Sequence, residues 1–315
     1  MSAIIQWPRT LYVQKYIPSD IKGPETKRWS CAAFCRVLTY PISSCIALLS
    51  KRCHDTSKDT LLRYSIQTRD HKTTFDALLL RGKIKKAVLF SLGSDVRYEE
   101  LRTGKGFLTS MVQFIKQQLG DVNILIPNHP QTLNPSNERR VVDILSCYDM
   151  LIKAEHFQPD DVIVYGHAIG ALYGAKAAAQ IQQEHPLSKV NVVIDRSSVD
   201  LYQAKESMNQ EKDGERKTHA RKETNINIQA GVDALRGTII AVSSKKDTTI
   251  TPRRSFTANV NRDQIDDRLE VVNIGAQSEG ADTHFAKFSQ QEANLIGGHM
   301  RRTLGLEAPE ALKDW

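Results

Sequence analysis

The feature that most constrains the fold of this chain is the ten-residue segment 162–171, Val-Ile-Val-Tyr-Gly-His-Ala-Ile-Gly-Ala. Its first four residues predict a buried strand, and the two glycines that follow predict a tight turn. The alanine-rich residues after Gly170 predict a helix that begins at once. A buried strand that passes directly into a helix is typical of a parallel sheet covered by helices, so the segment predicts an α/β fold.

The same alternation extends along residues 59–315, which we expect to form one domain. Apolar runs predict buried strands at 87–90, 122–126, 190–194, 238–243 and 269–274. Helical spacing predicts helices at 107–119, 136–154, 169–183 and 284–303. We expect Pro127 to end the second of these strands, and Gly297-Gly298 to interrupt the last helix. Segments 62–68 and 73–80 predict a leading antiparallel hairpin on a mostly parallel sheet with helices on both faces.

Two segments lie outside this pattern. Residues 1–58 predict an N-terminal extension with a helical segment at residues 29–52. Residues 29–49 are mostly apolar, and the basic pairs Lys27-Arg28 and Lys51-Arg52 flank them. That stretch fits a helix packed on the domain, an interfacial membrane helix or a membrane-spanning helix. Residues 203–229 are strongly polar and predict an excursion from the sheet. The excursion is either a solvated loop or a lid or partner-binding segment.

The charge and the cysteines restrict partners and compartment. The chain has 43 Lys and Arg against 36 Asp and Glu, a formal charge of +7, which favours an anionic membrane surface as a partner. No nucleic-acid-binding motif accompanies this charge, so nucleic acid is not an expected partner. The five cysteines are odd in number and scattered, which favours a reducing compartment and a cytoplasmic or peripheral membrane location.

The turn at Gly166, His167 and Gly170 indicates where chemistry would occur. Glycines flank Ala168 on both sides, and a side chain at either glycine would crowd the strand against the helix. Hydrolysis at such a turn needs a hydroxyl nucleophile, an imidazole to take its proton and a carboxylate to orient the imidazole. It also needs two backbone N–H groups that face the oxyanion.

Later strand ends offer the carboxylate and the imidazole. Asp247 follows the strand at 238–243, and Asp195, at the end of the strand at 190–194, is the second candidate for the acid. His284 follows the strand at 269–274, whereas His299 lies deeper in the predicted final helix. We predict Asp247 and His284 as the pair. In sites whose nucleophile lies on such a strand–turn–helix, the nucleophile comes first in the chain, the acid second and the histidine last.

These residues resemble the α/β-hydrolase superfamily over about residues 61–305. The resemblance rests on Gly166-His167-Ala168-Ile169-Gly170, on Asp247 and on His284. It implies hydrolysis of an acyl ester, thioester or amide, often of a lipid, without a metal or an organic cofactor. It also implies that the backbone N–H groups of Ile169 and Ser94 form the oxyanion hole. Residues 158–165 and 195–197 are similar to a branch found among effector proteins that intracellular bacteria secrete into host cells.

Ala168 departs from the superfamily pattern, because it replaces the serine nucleophile. The chain therefore predicts a serine-type ester hydrolase whose nucleophile has been replaced, with Asp247 and His284 retained. The alternative is a natural pseudohydrolase that binds a ligand or a protein. The sequence leaves both open, and it identifies no protein partner.

Overall fold

The computed structural model describes residues 13–16, 60–93, 101, 104, 106–128, 136–204, 225–275 and 283–308. Within these residues nine strands form one sheet. The strands are β1 (Val13–Tyr16), β2 (Thr60–Gln67), β3 (Thr74–Arg81), β4 (Ala87–Ser91), β5 (Asn123–Asn128), β6 (Val162–His167), β7 (Asn191–Asp195), β8 (Ile239–Ser244) and β9 (Leu269–Ile274). The helices are α1 (Phe107–Leu119), α2 (Asn137–Asp149), α3 (Ile169–Glu184), α4 (Gln229–Ala234), α5 (Phe256–Asn259) and α6 (Gln290–Leu304). A π-helical turn, Met150–Ala154, continues α2.

The sheet is antiparallel at one end and parallel through the rest. Its strand order is β1-β2-β3-β5-β4-β6-β7-β8-β9. The pairs β1–β2, β2–β3 and β3–β5 are antiparallel, and the pairs from β5–β4 through to β8–β9 are parallel. The predicted mostly parallel sheet with a leading antiparallel hairpin is therefore confirmed.

The core has two layers, one on each face of the sheet. Side chains alternate across a strand, so Leu89 of β4 packs with α2 and α3, whereas Val88 and Phe90 pack with α1 and α6. All five residues of β4 are buried. A central strand that is apolar on both sides needs helices on both faces, and the predicted two-sided covering is confirmed.

Two sequence predictions about element ends were wrong. Pro127 lies inside β5, opposite Ala77 of β3. β4 pairs with β5 no further than Leu125, so Pro127 lies beyond that ladder and near the end of the strand, where proline is better tolerated. The last helix starts at Gln290, where Ser289 and Glu292 form a capping box, and not at residue 284.

The pair Gly297-Gly298 also behaves differently from the prediction, because α6 runs through it without a break. A Cβ on Gly297 would lie 2.6 Å from the Cβ of Gln118 in α1. The glycine thus allows α6 to approach α1 closely. A glycine inside a helix costs only about 1 kcal/mol, which packing between two helices can offset.

Of the predicted N-terminal extension, the structure describes β1, which forms an edge of the sheet beside β2. Residues 29–52 lie outside the described residues. Among the helices that are described, none is long and apolar enough to cross a membrane. The polar excursion is described at its two ends, where the Leu201 N–H donates to the Ile226 carbonyl at 2.9 Å and the Ile228 N–H donates to the Val199 carbonyl at 3.0 Å. The chain thus leaves and rejoins the domain at one place.

Candidate active site

Ala168 occupies a strained turn between β6 and α3. Its backbone has φ 52° and ψ −129°, a left-handed φ that alanine rarely adopts. Such a conformation costs about 1–3 kcal/mol and persists only where neighbours enforce it. The Ala168 N–H donates to the Asp195 carbonyl at 3.0 Å, and the Ser197 hydroxyl donates to the Ala168 carbonyl at 2.7 Å. The turn is therefore held from the adjacent strand β7.

The two glycines that flank Ala168 are required by close backbone approach. A Cβ on Gly166 would lie 2.8 Å from the backbone nitrogen of Ala171. A Cβ on Gly170 would lie 2.8 Å from the backbone nitrogen of Gly93 and would overlap the carbonyl oxygen of Ser91. The predicted crowding of strand against helix is thus present at Gly166, and Gly170 admits the end of β4 as well.

The chain that follows β4 lies beside the turn. A Cβ on Gly93 would come within 3.8 Å of the Cβ of Ala168. Ile169 is the first residue of α3, whose N-terminal N–H groups lack partners within the helix and favour negative charge. Ser94, the other predicted oxyanion donor, lies outside the described residues.

Asp247 and His284 meet in a buried contact. Nδ1 of His284 lies 2.9 Å from Oδ2 and 3.1 Å from Oδ1 of Asp247, and the two side chains are 1% and 2% exposed. An ionised carboxylate only accepts hydrogen bonds, so Nδ1 carries the proton. The Ile250 N–H also donates to Asp247 Oδ1 at 2.7 Å, which fixes the carboxylate after β8.

The rival residues of the sequence interpretation are engaged elsewhere. Asp195 accepts hydrogen bonds from Arg196 and from the hydroxyl of Tyr165. His299 lies in α6 with its Nδ1 3.2 Å from Glu270. The structure therefore brings Asp247 to His284 and places Asp195 and His299 in other contacts.

Solved structures with the same architecture include several hydrolases. An esterase from Pyrococcus furiosus matches with a TM-score of 0.62 at 11% identity, over 79% of this chain and 92% of that one. An alpha-beta hydrolase from Vibrio vulnificus matches with a TM-score of 0.54 at 12% identity, over 82% of this chain and 85% of that one. This chain has the α/β-hydrolase fold.

A fungal esterase from Rhizomucor miehei also matches this α/β-hydrolase fold, with a TM-score of 0.52 at 14% identity over 84% of this chain and 91% of that one. No protein-family model matches the sequence, and no curated protein matches it significantly. At such low identities the likeness shows the fold but does not show the activity, because one fold carries many activities.

His167 makes more contacts in this candidate site than its place in the turn suggested. Its Nε2 lies 3.0 Å from the backbone carbonyl of His284, so Nε2 carries the proton. Its Nδ1 is buried and has no hydrogen-bond partner among the described residues. Burial, the nearby charge of Arg196 and the neighbouring His284 hold the pKa of His167 well below its usual value. These surroundings favour the neutral imidazole over the charged one.

Arg196 follows Asp195 in the chain, and its guanidinium group pairs with the Asp195 carboxylate. Its Nη1 also donates to the carbonyls of Thr283 and Ala286, at 2.8 and 2.9 Å. An Asp-Arg doublet at the end of a buried strand is the one sequence signal for such a contact, since an arginine there must be paired. No group of three or more His, Cys, Asp or Glu side chains suited to a metal ion occurs in the described part of the chain.

Proposed function

We propose that this α/β-hydrolase is built for serine-type hydrolysis of acyl esters, with position 168 as the nucleophile position. The observation that carries the proposal is the buried hydrogen bond between His284 and Asp247 in a chain whose strained turn is centred on Ala168. Alanine has no hydroxyl, so the protein with Ala168 is inactive in this reaction.

With a serine at position 168, the reaction follows the usual two steps. The serine oxygen attacks the ester carbonyl while His284 takes the hydroxyl proton, and Asp247 stabilises the imidazolium. The N–H groups of Ile169 and Ser94 stabilise the oxyanion. His284 then gives the proton to the leaving alcohol, and a water molecule activated by His284 releases the acid and restores the serine.

Acyl esters, including lipids, are the proposed substrates because phenylalanine rings lie beside the histidine. The centroid of Phe285 lies 4.8 Å from that of His284, and the centroid of Phe107 lies 5.7 Å from that of Phe285. Phe285 is 46% exposed, which offers apolar surface next to the imidazole. Such surface suits the hydrocarbon part of an acyl chain.

The test is Ala168→Ser, assayed on p-nitrophenyl esters of increasing chain length and with a fluorophosphonate probe. The Ala168 protein is the matched control, since it keeps every other group. We expect turnover and covalent labelling in Ala168→Ser and neither in the control. If the variant is folded, yet hydrolyses no ester, thioester or lipid and takes no label, the proposal is rejected.

Ala168 itself favours a second candidate, a natural pseudohydrolase that uses the site to bind a ligand or a protein. A serine codon at position 168 in the natural gene would rule against it. An alanine codon there would favour it, and Ala168→Ser would then be expected to remain inactive if other parts of the site have also diverged.

A further inference from the structure

We propose that Arg196 is a positioning residue for His284. Its guanidinium group is fixed by Asp195 and holds the backbone on both sides of the histidine, which keeps the imidazole oriented toward Asp247. The proposal deepens the proposed function and rests on it for its kinetic part, whereas its structural part can be measured without any activity.

The segment that carries His284 needs such a support. Residues 283–289 lie between β9 and α6 and form neither helix nor strand. Backbone polar groups that are buried outside regular elements must find partners in side chains. The carbonyls of Thr283 and Ala286 both accept from Arg196, and the carbonyl of His284 accepts from His167. Buried side chains thus bond three of the carbonyls next to the imidazole.

Asp195 fixes the guanidinium group of Arg196 to the central sheet. Its Nε and Nη2 donate to the two carboxylate oxygens of Asp195 at 2.7 and 2.8 Å, and Asp195 also accepts from Tyr165 at 2.9 Å. The rings of Phe107 and Phe288 lie 5.4 and 5.0 Å from the guanidinium carbon. Since Tyr165 and Asp195 belong to the central strands β6 and β7, the contact ties the histidine segment to the middle of the sheet.

Backbone geometry at Arg196 is consistent with this role. Its φ is 47°, a left-handed value that a long side chain rarely adopts. Its N–H nevertheless donates to the Val242 carbonyl of β8 at 2.8 Å. Strain of this kind persists where surrounding contacts enforce it.

The buried ion pair between Arg196 and Asp195 is by itself weak evidence for a gain in stability, because apolar residues of similar volume often serve as well. Arginine differs from apolar residues because its planar guanidinium group can donate to the Asp195 carboxylate and to backbone carbonyls at the same time.

The experiment is Arg196→Lys in the Ala168→Ser protein. Lysine keeps the positive charge for Asp195, but one ammonium group cannot span the carboxylate and both carbonyls. We expect kcat to fall about 10- to 100-fold with KM changed less than about twofold, because a small misplacement of a catalytic group has effects of this size. Arg253→Lys, at an exposed position, is the matched control and should leave kcat unchanged.

Two readouts separate positioning from a merely structural role. Hydrogen exchange of residues 283–288 should become faster in Arg196→Lys, and the NMR resonance of the His284 Nδ1 proton should shift or broaden. Both are also measured in the Ala168 protein, so they decide the proposal even if Ala168→Ser is inactive and the proposed function fails. Unchanged exchange and an unchanged resonance overturn the proposal, whatever happens to kcat.

A second variant covers the case in which Arg196→Lys does not fold. The double variant Asp195→Leu with Arg196→Met replaces the ion pair by apolar side chains of similar size, a change that buried pairs often tolerate. We expect this variant to fold with the same faster exchange at residues 283–288. Full protection of that segment in the double variant would overturn the proposal.

Discussion

His167 donates a hydrogen bond of 3.0 Å from its Nε2 to the backbone carbonyl of His284. The residue before Ala168 is thus joined directly to the backbone of His284. The two rings lie 4.9 Å apart between centroids, and both are 1% exposed. A change at His167 should therefore affect the geometry around His284 as well as the turn at Ala168.

Acid should destabilise the protein through His167. The folded-state pKa of this imidazole is lowered by burial, by Arg196 and by His284, so below about pH 6.5 the unfolded chain binds a proton that the folded chain does not. Stability is then fully present above about pH 6.5 and falls by up to about 1.4 kcal/mol per pH unit as the pH drops toward the lowered value. Urea unfolding between pH 7.5 and 5 measures this slope.

His167→Gln is the matched variant, because a glutamine amide can still donate to the His284 carbonyl but does not titrate. It should reduce the acid slope. An equally steep slope in His167→Gln would show that another group causes the acid sensitivity. His299, whose pKa is also lowered by partial burial, would be the next group to replace.

Gly170→Ala should destabilise the protein by about 1–3 kcal/mol, the usual effect of forcing an extra methyl group into a packed region. The new Cβ would overlap the Ser91 carbonyl oxygen and lie 2.8 Å from the Gly93 nitrogen. Gly298→Ala is the control within the same chain. Its Cβ would meet only the ends of two arginine side chains at 3.8 Å, so alanine should stabilise α6 by up to about 1 kcal/mol. Thermal unfolding of both variants checks the opposite signs.

Asp247 and Asp195 should differ sharply when each is replaced in the Ala168→Ser protein. Asp247→Asn should lower kcat by about 10⁴-fold, because the amide no longer holds the imidazole in the required tautomer. Asp195→Asn keeps an acceptor for Tyr165 and acts only through Arg196, so a decrease of about tenfold is expected. Steady-state kinetics on one ester measures both, and the reverse order would make Asp195 the acid.

Binding to anionic membranes is predicted for the basic pairs that flank the apolar stretch in residues 29–52. Replacing Lys27, Arg28, Lys51 and Arg52 by glutamate should weaken sedimentation with phosphatidylserine vesicles by at least about 100-fold. Each basic residue near such a surface contributes about 1 kcal/mol. The substitutions leave β1 in place, which a deletion of residues 1–58 would remove. Equal binding of both proteins would exclude this role, and neutral vesicles provide the baseline.

The strands from β2 to β9 and the four long helices could be predicted because each has a strong local pattern, whereas β1, α4 and α5 are short and were not predicted. Residues 162–171 combine an apolar strand, a glycine turn and a small-residue helix, and all three are present. The residues of the capping box, Ser289 and Glu292, are present in the sequence. Helical spacing that continues upstream to His284 nevertheless led to a predicted helix start that was too early. Local signals of this kind predict that an element exists better than they predict its ends.

The contacts around His284 could not be predicted in the same way. Arg196 and the Thr283 carbonyl are 87 residues apart, and His167 and the His284 carbonyl are 117 residues apart. No local pattern encodes contacts at such separations, because they depend on how the sheet brings the ends of β6, β7 and β9 together. The sequence therefore predicted the pair Asp247 and His284. The backbone contacts around His284 follow only from the fold.

The two ends of the polar excursion are bonded to each other, so we expect the domain to tolerate changes in the length of the chain between them. The hydrogen bonds between Leu201 and Ile226 and between Val199 and Ile228 close the domain beneath it. The entropy of closing a loop grows only slowly with its length. A short glycine-serine link in place of residues 205–224, or a whole inserted domain, should therefore leave the melting temperature nearly unchanged. A change in length here requires no rearrangement of the sheet.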